Sequence, residues 1–403
     1  MNALVALDHR FAQTPDGAVW AKTMFGPSFW KRYLDVFDSL RVVARLEPYA
    51  SVDDSFTRID SDTIKFWPTY FYRGPKDMIM KYGKIKASVA SAITGDEAII
   101  LRVQSVISSC VYKSIKKTGQ PYAVEVIGNP ADIFEKGSFN HPLRPIIRSS
   151  AVAGLRELCA QATCSLYVSE EALQQQYPPK LGTTSVGISD VELYDDSYLQ
   201  QPYDLEHYQG RLRFVCVGMY ENLKKAHDLQ IRAIAAVVRE GYDVELALVG
   251  DGKCRSELEA LAKQEGVSER ILFLGKKSAG AQVFAELDKS HIFLLPSRHE
   301  GLPRAMVEAM ARALPAIGST SGGMYELIGS EWVAEKGNLD SLVQLLRKVL
   351  TQRELLPELS AKNLKRSRDF HDAVLDAKRK AYYEAISSCT QEWLEKKPAF
   401  AHA

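Results

Sequence analysis

Pro296-Ser297-Arg298-His299-Glu300-Gly301-Leu302-Pro303-Arg304-Ala305-Met306-Val307-Glu308-Ala309-Met310-Ala311 holds both the main turn of the fold and its chemistry. The apolar run His291 to Leu295 leads into it as a strand, a small-residue turn follows, and a helix is expected from about Pro303. Proline fits a first helical position because its missing N–H would be unpaired there anyway. The amides of Gly301 and Leu302 are then expected to point out of a helix start, beside its positive dipole end. Such a place suits an anionic or hydroxyl-rich ligand.

Glu300 and Glu308 lie eight residues apart. Along a helix that spacing is a rise of about 12 Å. It is too far for the paired acids of a retaining glycosidase, which sit about 5–5.5 Å apart. The spacing suits two ends of one elongated ligand. It also suits a solvated acid at a helix start with a structural Glu308 behind it.

The stretch resembles the E-x7-E motif of the retaining family-4 glycosyltransferases of GT-B fold. Gly318-Ser319-Thr320-Ser321-Gly322-Gly323-Met324-Tyr325-Glu326-Leu327-Ile328 is similar to that family's second glycine turn. Residues 211–330 carry the resemblance strongly and the rest weakly. It implies an α/β chain with two Rossmann-like doubly wound domains facing a cleft. Glu308 is then implied to accept the ribose hydroxyls, and Glu300 with Gly301 and Leu302 to hold the donor sugar. Lys225 and the amides after Gly322-Gly323 are implied to face the diphosphate. Lys225-Ala226-His227-Asp228-Leu229 stands where the family has K-G-x-D-L, after the strand Leu212 to Gly218. Gly250, which ends the run Val244 to Val249, belongs to the same donor side. Residues past Gly275, Lys276 first, are implied to border the base.

Two departures stand out. Met219 occupies the place of a common Arg. The strand Gln120 to Asn129, where the family delivers a His to the reaction centre, has none; Glu125, Gly128 and Asn129 stand there instead. That segment resembles a bacterial polysaccharide-assembly branch reading PY-x-VE-x-x-G-x-P. Asn129 is carried as an acceptor-side residue.

A chain of 403 residues is long enough for two ordinary domains. A net charge of +1 provides no field to gather nucleic acid. The six cysteines have no paired spacing and read as buried thiols in a reducing compartment, not as a zinc site or disulfide frame. No acidic cluster of the DxD type sits in a sheet crevice, so no metal is expected. Met1 to Arg10 has no apolar run of signal-peptide length, and no stretch approaches a membrane span. A cytoplasmic location is expected, with peripheral contact at the inner face of the membrane.

Four divisions follow: 1–195 as an acceptor-side domain, 196–210 as connection, 211–375 as nucleotide-sugar domain, and 376–403 as a helix crossing back. In the first, Ala3 to Leu7 reads as a buried strand, followed by a loop through Gly17 and a helix from Ala18. Strand, glycine turn and helix make a ligand crevice, and the resemblance carries a diphosphate contact onto Gly17, which is equally an ordinary turn glycine. Trp67 belongs to the aromatic cluster Phe66 to Tyr72. Such rings beside Arg73 suit an acceptor sugar, and suit a packed sheet edge as well. Lys76, Lys81, Lys84 and Lys86 mark a helix that either meets anionic lipid or is simply solvated.

The implied reaction is transfer of a sugar, with retention, from a nucleotide diphosphate sugar of UDP or GDP type to a glycan or lipid-linked acceptor in polysaccharide biosynthesis, without a cofactor. Within the fold the alternatives are an epimerase or a phosphorylase, and outside catalysis a partner subunit that binds the nucleotide sugar without transfer.

Overall fold

The computed structural model describes residues 1–22, 25–134 and 141–396. The first sheet contains β1 (Ala3–Gln13), β2 (Val19–Ala21), β3 (Leu40–Pro48), β4 (Thr57–Arg58), β5 (Ile64–Pro68), β6 (Ala98–Val103), β7 (Tyr122–Val126), β8 (Cys164–Tyr167) and β9 (Thr184–Gly187). Its parallel strands run β5-β3-β1-β6-β7-β8-β9, with a β1-β2-β4 antiparallel extension. The second sheet contains β10 (Leu212–Val217), β11 (Val244–Val249), β12 (Ile271–Gly275), β13 (Ile292–Leu294), β14 (Ala316–Ser319) and β15 (Val333–Ala334). Its order is β12-β11-β10-β13-β14-β15.

In each sheet the order reverses direction beside the first strand, at β1/β6 and at β10/β13. Ligands of open α/β sheets bind at such switch points, outside the carboxyl ends of the strands. β6 and β11 are buried along their whole length, as strands covered by helices on both faces must be.

The helices of the first half are α1 (Pro27–Leu34), α2 (Gly74–Ala90), α3 (Val106–Ile115), α4 (Pro130–Ile133), α5 (Arg144–Gln161) and α6 (Ala172–Gln176). Those of the second are α7 (His227–Arg239), α8 (Arg255–Gln264), α9 (Ala281–Asp288), α10 (Arg304–Ala311), α11 (Met324–Ile328), α12 (Leu339–Thr351) and α13 (Leu356–Ser367). α14 (Asp372–Lys396) then returns to the first sheet, where the Tyr382 hydroxyl donates to Val124 O at 2.8 Å. The two chain crossings lie side by side: Asp372 N donates to Leu193 O (2.8 Å), and the Tyr198 hydroxyl to Ser367 O (3.2 Å).

One local expectation is corrected. β1 does not stop at Leu7; a register shift between Ala6 and Arg10 carries it on to Gln13. Gly17 (φ +86°) then sits in the tight turn into β2, with its N–H on Thr14 O, and no helix begins at Ala18. The first helix after β1 starts at Pro27, so the glycine ahead of it is Gly26. Alternating Phe11, Val19 and Ala21 bury one face of the hairpin, which is why it forms.

Candidate active site

Gly218 ends β10 and Pro296 follows β13, so the two loops flank the second switch point. The Lys225 side chain folds back over Gly218: a Cβ at residue 218 would lie 3.1 Å from Lys225 Cγ. Ala226 holds that turn in the left-handed region (φ 55°), a conformation that costs an L-residue roughly 1–2 kcal/mol. Lys225 Nζ reaches the Glu300 carboxylate, and Ser297 Oγ donates to the same Oε1 at 2.9 Å. Glu300 Oε2 has no protein partner among the described residues. The pair is thus fixed at one oxygen and leaves the other for a ligand hydroxyl.

Arg298 locks the two loops together. Its guanidinium grips Asp228 at 2.7 and 2.8 Å, its Nη1 donates to Leu223 O (2.8 Å), and its N–H donates to Lys224 O (2.7 Å). Gly250 lies against this assembly, since a Cβ there would fall 2.1 Å from Gly218 O. Gly250 N in turn donates to Gly275 O (3.0 Å), so three strand ends are laced side by side. Lys276, next along, is exposed.

Pro303 is the N-cap residue of α10. The Gly301 and Leu302 amides donate to no protein acceptor among the described residues. Glu308, in the second turn of α10, is half-buried, and its carboxylate has no hydrogen bond to protein among the described residues. Burial pushes its pKa up, and Arg304 one turn earlier counters this. A half-buried carboxylate whose oxygens still reach solvent, beside free amides, can take up hydroxyl donors.

Gly322 and Gly323 act differently from expectation. Gly323 N donates to Gly301 O (2.8 Å), so that amide is already used. At Gly322 (φ +62°) a Cβ would lie 2.3 Å from Gly301 O. Ser321 Oγ accepts from Glu300 N at 3.1 Å. The second glycine turn therefore supports the backbone of Glu300 and Gly301.

The first domain closes over this site. A Cβ on Gly301 would meet Val168 Cγ2 at 3.0 Å and Ile127 O at 3.3 Å, so the carboxyl ends of β7 and β8 face the second sheet. Glu326, at α11, accepts from Glu170 N (2.7 Å) and Ala172 N (2.6 Å). Arg304 borders a cavity of about 240 Å³ whose other wall includes Gly26 and Ser28 at the start of α1.

Of the two acceptor-side residues, Asn129 is taken up by protein contacts and Trp67 stays exposed. Asn129 caps α4 through Ala131 N (2.9 Å), also accepts from the Tyr177 hydroxyl (2.6 Å), and donates to Gln176 Oε1 (2.9 Å). Its amide is committed to structure. Trp67 lies on β5, the outermost strand, with its indole N–H on Ser88 O (3.2 Å) and Arg41 beside its ring. Trp67 is 38% exposed at that edge.

Glu125, standing near the end of β7, is a buried anchor. Arg102 Nη1 donates to it at 2.7 Å, and the hydroxyls of Tyr33 and Tyr383 at 2.9 and 2.8 Å. Arg102 also holds Asp190 (2.5 Å), which Arg32 shares (3.1 Å). Burial opposes its ionisation, but Arg102 and Arg32 keep the Asp190 carboxyl well below the usual range. Arg298, Ser297, Ser321 and Glu125 lie within the quoted stretches, but their pattern there does not announce these contacts. Only the K-A-H-D-L register hinted at Asp228. Among the described residues no group of three or more His, Cys, Asp or Glu could hold a metal ion.

Residues 211–352 match the family model of the glycosyl transferases group 1. The chain is 27% identical over 347 residues to Protein CapJ of Staphylococcus aureus, covering 85% of each chain. Over 161 residues it is 29% identical to the amylovoran biosynthesis glycosyltransferase AmsK of Erwinia amylovora, covering 38% of this chain and 39% of that one. Its fold is similar to that of Anabaena Alr3699/HepE in complex with UDP, with a TM-score of 0.64 at 14% identity, over 96% of this chain and 100% of that one. With two doubly wound halves closed on Glu300, Lys225 and Glu308, the chain is a glycosyltransferase of GT-B fold whose second half matches the glycosyl transferases group 1 over residues 211–352.

Proposed function

We propose that the chain transfers a sugar, with retention at the anomeric carbon, from a nucleotide diphosphate sugar to a glycan or lipid-linked acceptor in polysaccharide biosynthesis. One observation carries this reading: the paired Lys225 and Glu300 stand at the switch point, and the unpartnered Glu308 carboxylate follows on the adjoining helix. Glu300 Oε2 and the amides of Gly301 and Leu302 take the sugar hydroxyls. Glu308 takes the ribose. Lys225 meets the charge that grows on the diphosphate as the glycosidic bond breaks, as a fixed cation in a partly buried site. The fold neighbour HepE in complex with UDP supports a nucleotide donor, and the likeness to an amylovoran biosynthesis glycosyltransferase supports the biosynthetic setting.

The acceptor enters from the first domain. Among the described residues no helix is long and apolar enough to cross a membrane. α2 exposes Ile79 and Met80 between Lys76 and Lys84, which supports contact with an anionic membrane surface. Co-sedimentation with anionic but not neutral vesicles tests that contact.

The central test is a panel of UDP- and GDP-sugars read by thermal stabilisation, since a ligand of the native state raises apparent stability. The stabilising donor is then turned over, and the anomeric configuration of donor and product is compared by NMR. No stabilisation by any nucleotide sugar ends the donor reading, and an inverted product ends the claim of retention.

A further inference from the structure

Arg304 is the first residue of α10, four residues after Glu300 and four before Glu308. The i, i+4 spacing puts Arg304 and Glu308 on one face of the helix. Arg304 makes no hydrogen bond or ion pair to protein among the described residues. It borders the interdomain cavity of about 240 Å³ opposite the start of α1. Volume of that order holds several waters, and so a small polyanion.

The two other cations at this cavity are already matched. Arg32 and Arg102 share Asp190, and Arg102 also holds Glu125. Glu192 lines the cavity beyond ion-pair distance of Arg304. Arg102 is 4% exposed, and its Nε has no partner. A buried donor without an acceptor, on the wall of a cavity, marks the space as one meant for something polar. Met219, by contrast, brings no charge to the β10 loop.

We propose that Arg304 binds the diphosphate of the donor, as the second cation beside Lys225. This rests on the donor reading above. In a nucleotide sugar the diphosphate joins the sugar to the ribose, and along the chain Arg304 lies midway between the two acids assigned to those ends. A guanidinium can take two phosphate oxygens at once and stays charged throughout. As the anomeric C–O bond breaks, its electron pair goes to the departing β-phosphate oxygen, and Arg304 faces the added charge.

Calorimetric titration with UDP, UMP, GDP and GMP tests this on the full chain. Arg304→Met is expected to weaken the preferred nucleoside diphosphate by about tenfold or more, the size of one lost charge-assisted contact, and the monophosphate by less than about twofold. Arg304→Lys keeps a charge and should fall between wild type and Met. An equal loss on both nucleotides, or none on the diphosphate, overturns the proposal. If the wild-type chain binds neither diphosphate, the donor reading itself fails. If it binds and Arg304→Met is unaltered, only the Arg304 assignment fails. An unchanged melting temperature of the unliganded variants separates lost contact from lost fold.

Discussion

Lys225 and Glu300, 75 residues apart, form an ion pair across the switch point of the second sheet. Each fixes the other where a ligand would lie. The glycine at 218 allows the lysine stem to cross, and Ser297 holds the glutamate from the far side. The candidate site is therefore ordered by contacts within the protein itself.

This pairing makes their substitutions non-additive. Lys225→Met and Glu300→Gln are each expected to lower kcat by about 10²-fold or more, as loss of a preorganised electrostatic contact does. The double variant should lose clearly less than the product of the two, because each partner loses its position with the other. Turnover of the four proteins with one donor measures the coupling. Strict additivity would show that the pair plays no joint part.

Glu308 is half-buried on α10, its carboxylate makes no hydrogen bond to protein among the described residues, and partial burial holds its folded pKa above the ordinary 4.5. The native state then holds its proton longer than the unfolded chain, and stability falls as pH rises through that raised value. Glu308→Gln removes the ionisable group, so the unliganded variant should melt at the same or a higher temperature at pH 7. Its donor affinity should drop by about tenfold. Melting curves against pH, with and without donor, check both halves.

His227 makes the protein acid-sensitive. It is fully buried, neither ring nitrogen has a hydrogen-bond partner, and burial, then the charge of Lys225, lowers its pKa to about 4. The native state keeps it neutral while the unfolded chain takes up a proton near 6.5. Stability is thus lost as pH falls from about 6.5 toward 4, by up to about 1.4 kcal/mol per pH unit from this one group. His227→Phe, which keeps a ring against Tyr220, should flatten that slope in denaturant titrations.

Glu125 anchors the crossing helix. Removing its carboxylate leaves Arg102 partly unpaired in a dry interior and frees two tyrosine hydroxyls. Glu125→Ala should cost about 3–5 kcal/mol of stability. Urea unfolding measures it. A loss under about 1 kcal/mol would mean that water compensates the network.

Glu326 bridges the domains. Glu326→Ala removes the acceptor of two first-domain amides, so the closed arrangement should be less populated. A larger radius of gyration in X-ray scattering of the unliganded protein, returning toward wild type with donor, is the expected result. Identical scattering would show that closure rests on other contacts.

The sequence by itself determined what a local pattern can encode. Short apolar-rich runs such as Val244 to Val249 read as buried strands, Pro303 marks a helix start, and the glycines at 218 and 250 stand where a side chain and a backbone carbonyl pass close by. Those features, in that order, yield two doubly wound halves with two acids at one helix start. Tertiary structure alone decided which groups meet. It turned the Gly17 loop into a hairpin, committed Asn129 to a cap and Trp67 to a sheet edge, and used the Gly323 amide on Gly301. It also joined Lys225 to Glu300 and, among the described residues, left Glu308 and Arg304 without a hydrogen bond or ion pair. The reason is range: backbone conformation follows from a few neighbouring residues, whereas a hydrogen bond between groups many residues apart depends on how whole layers pack.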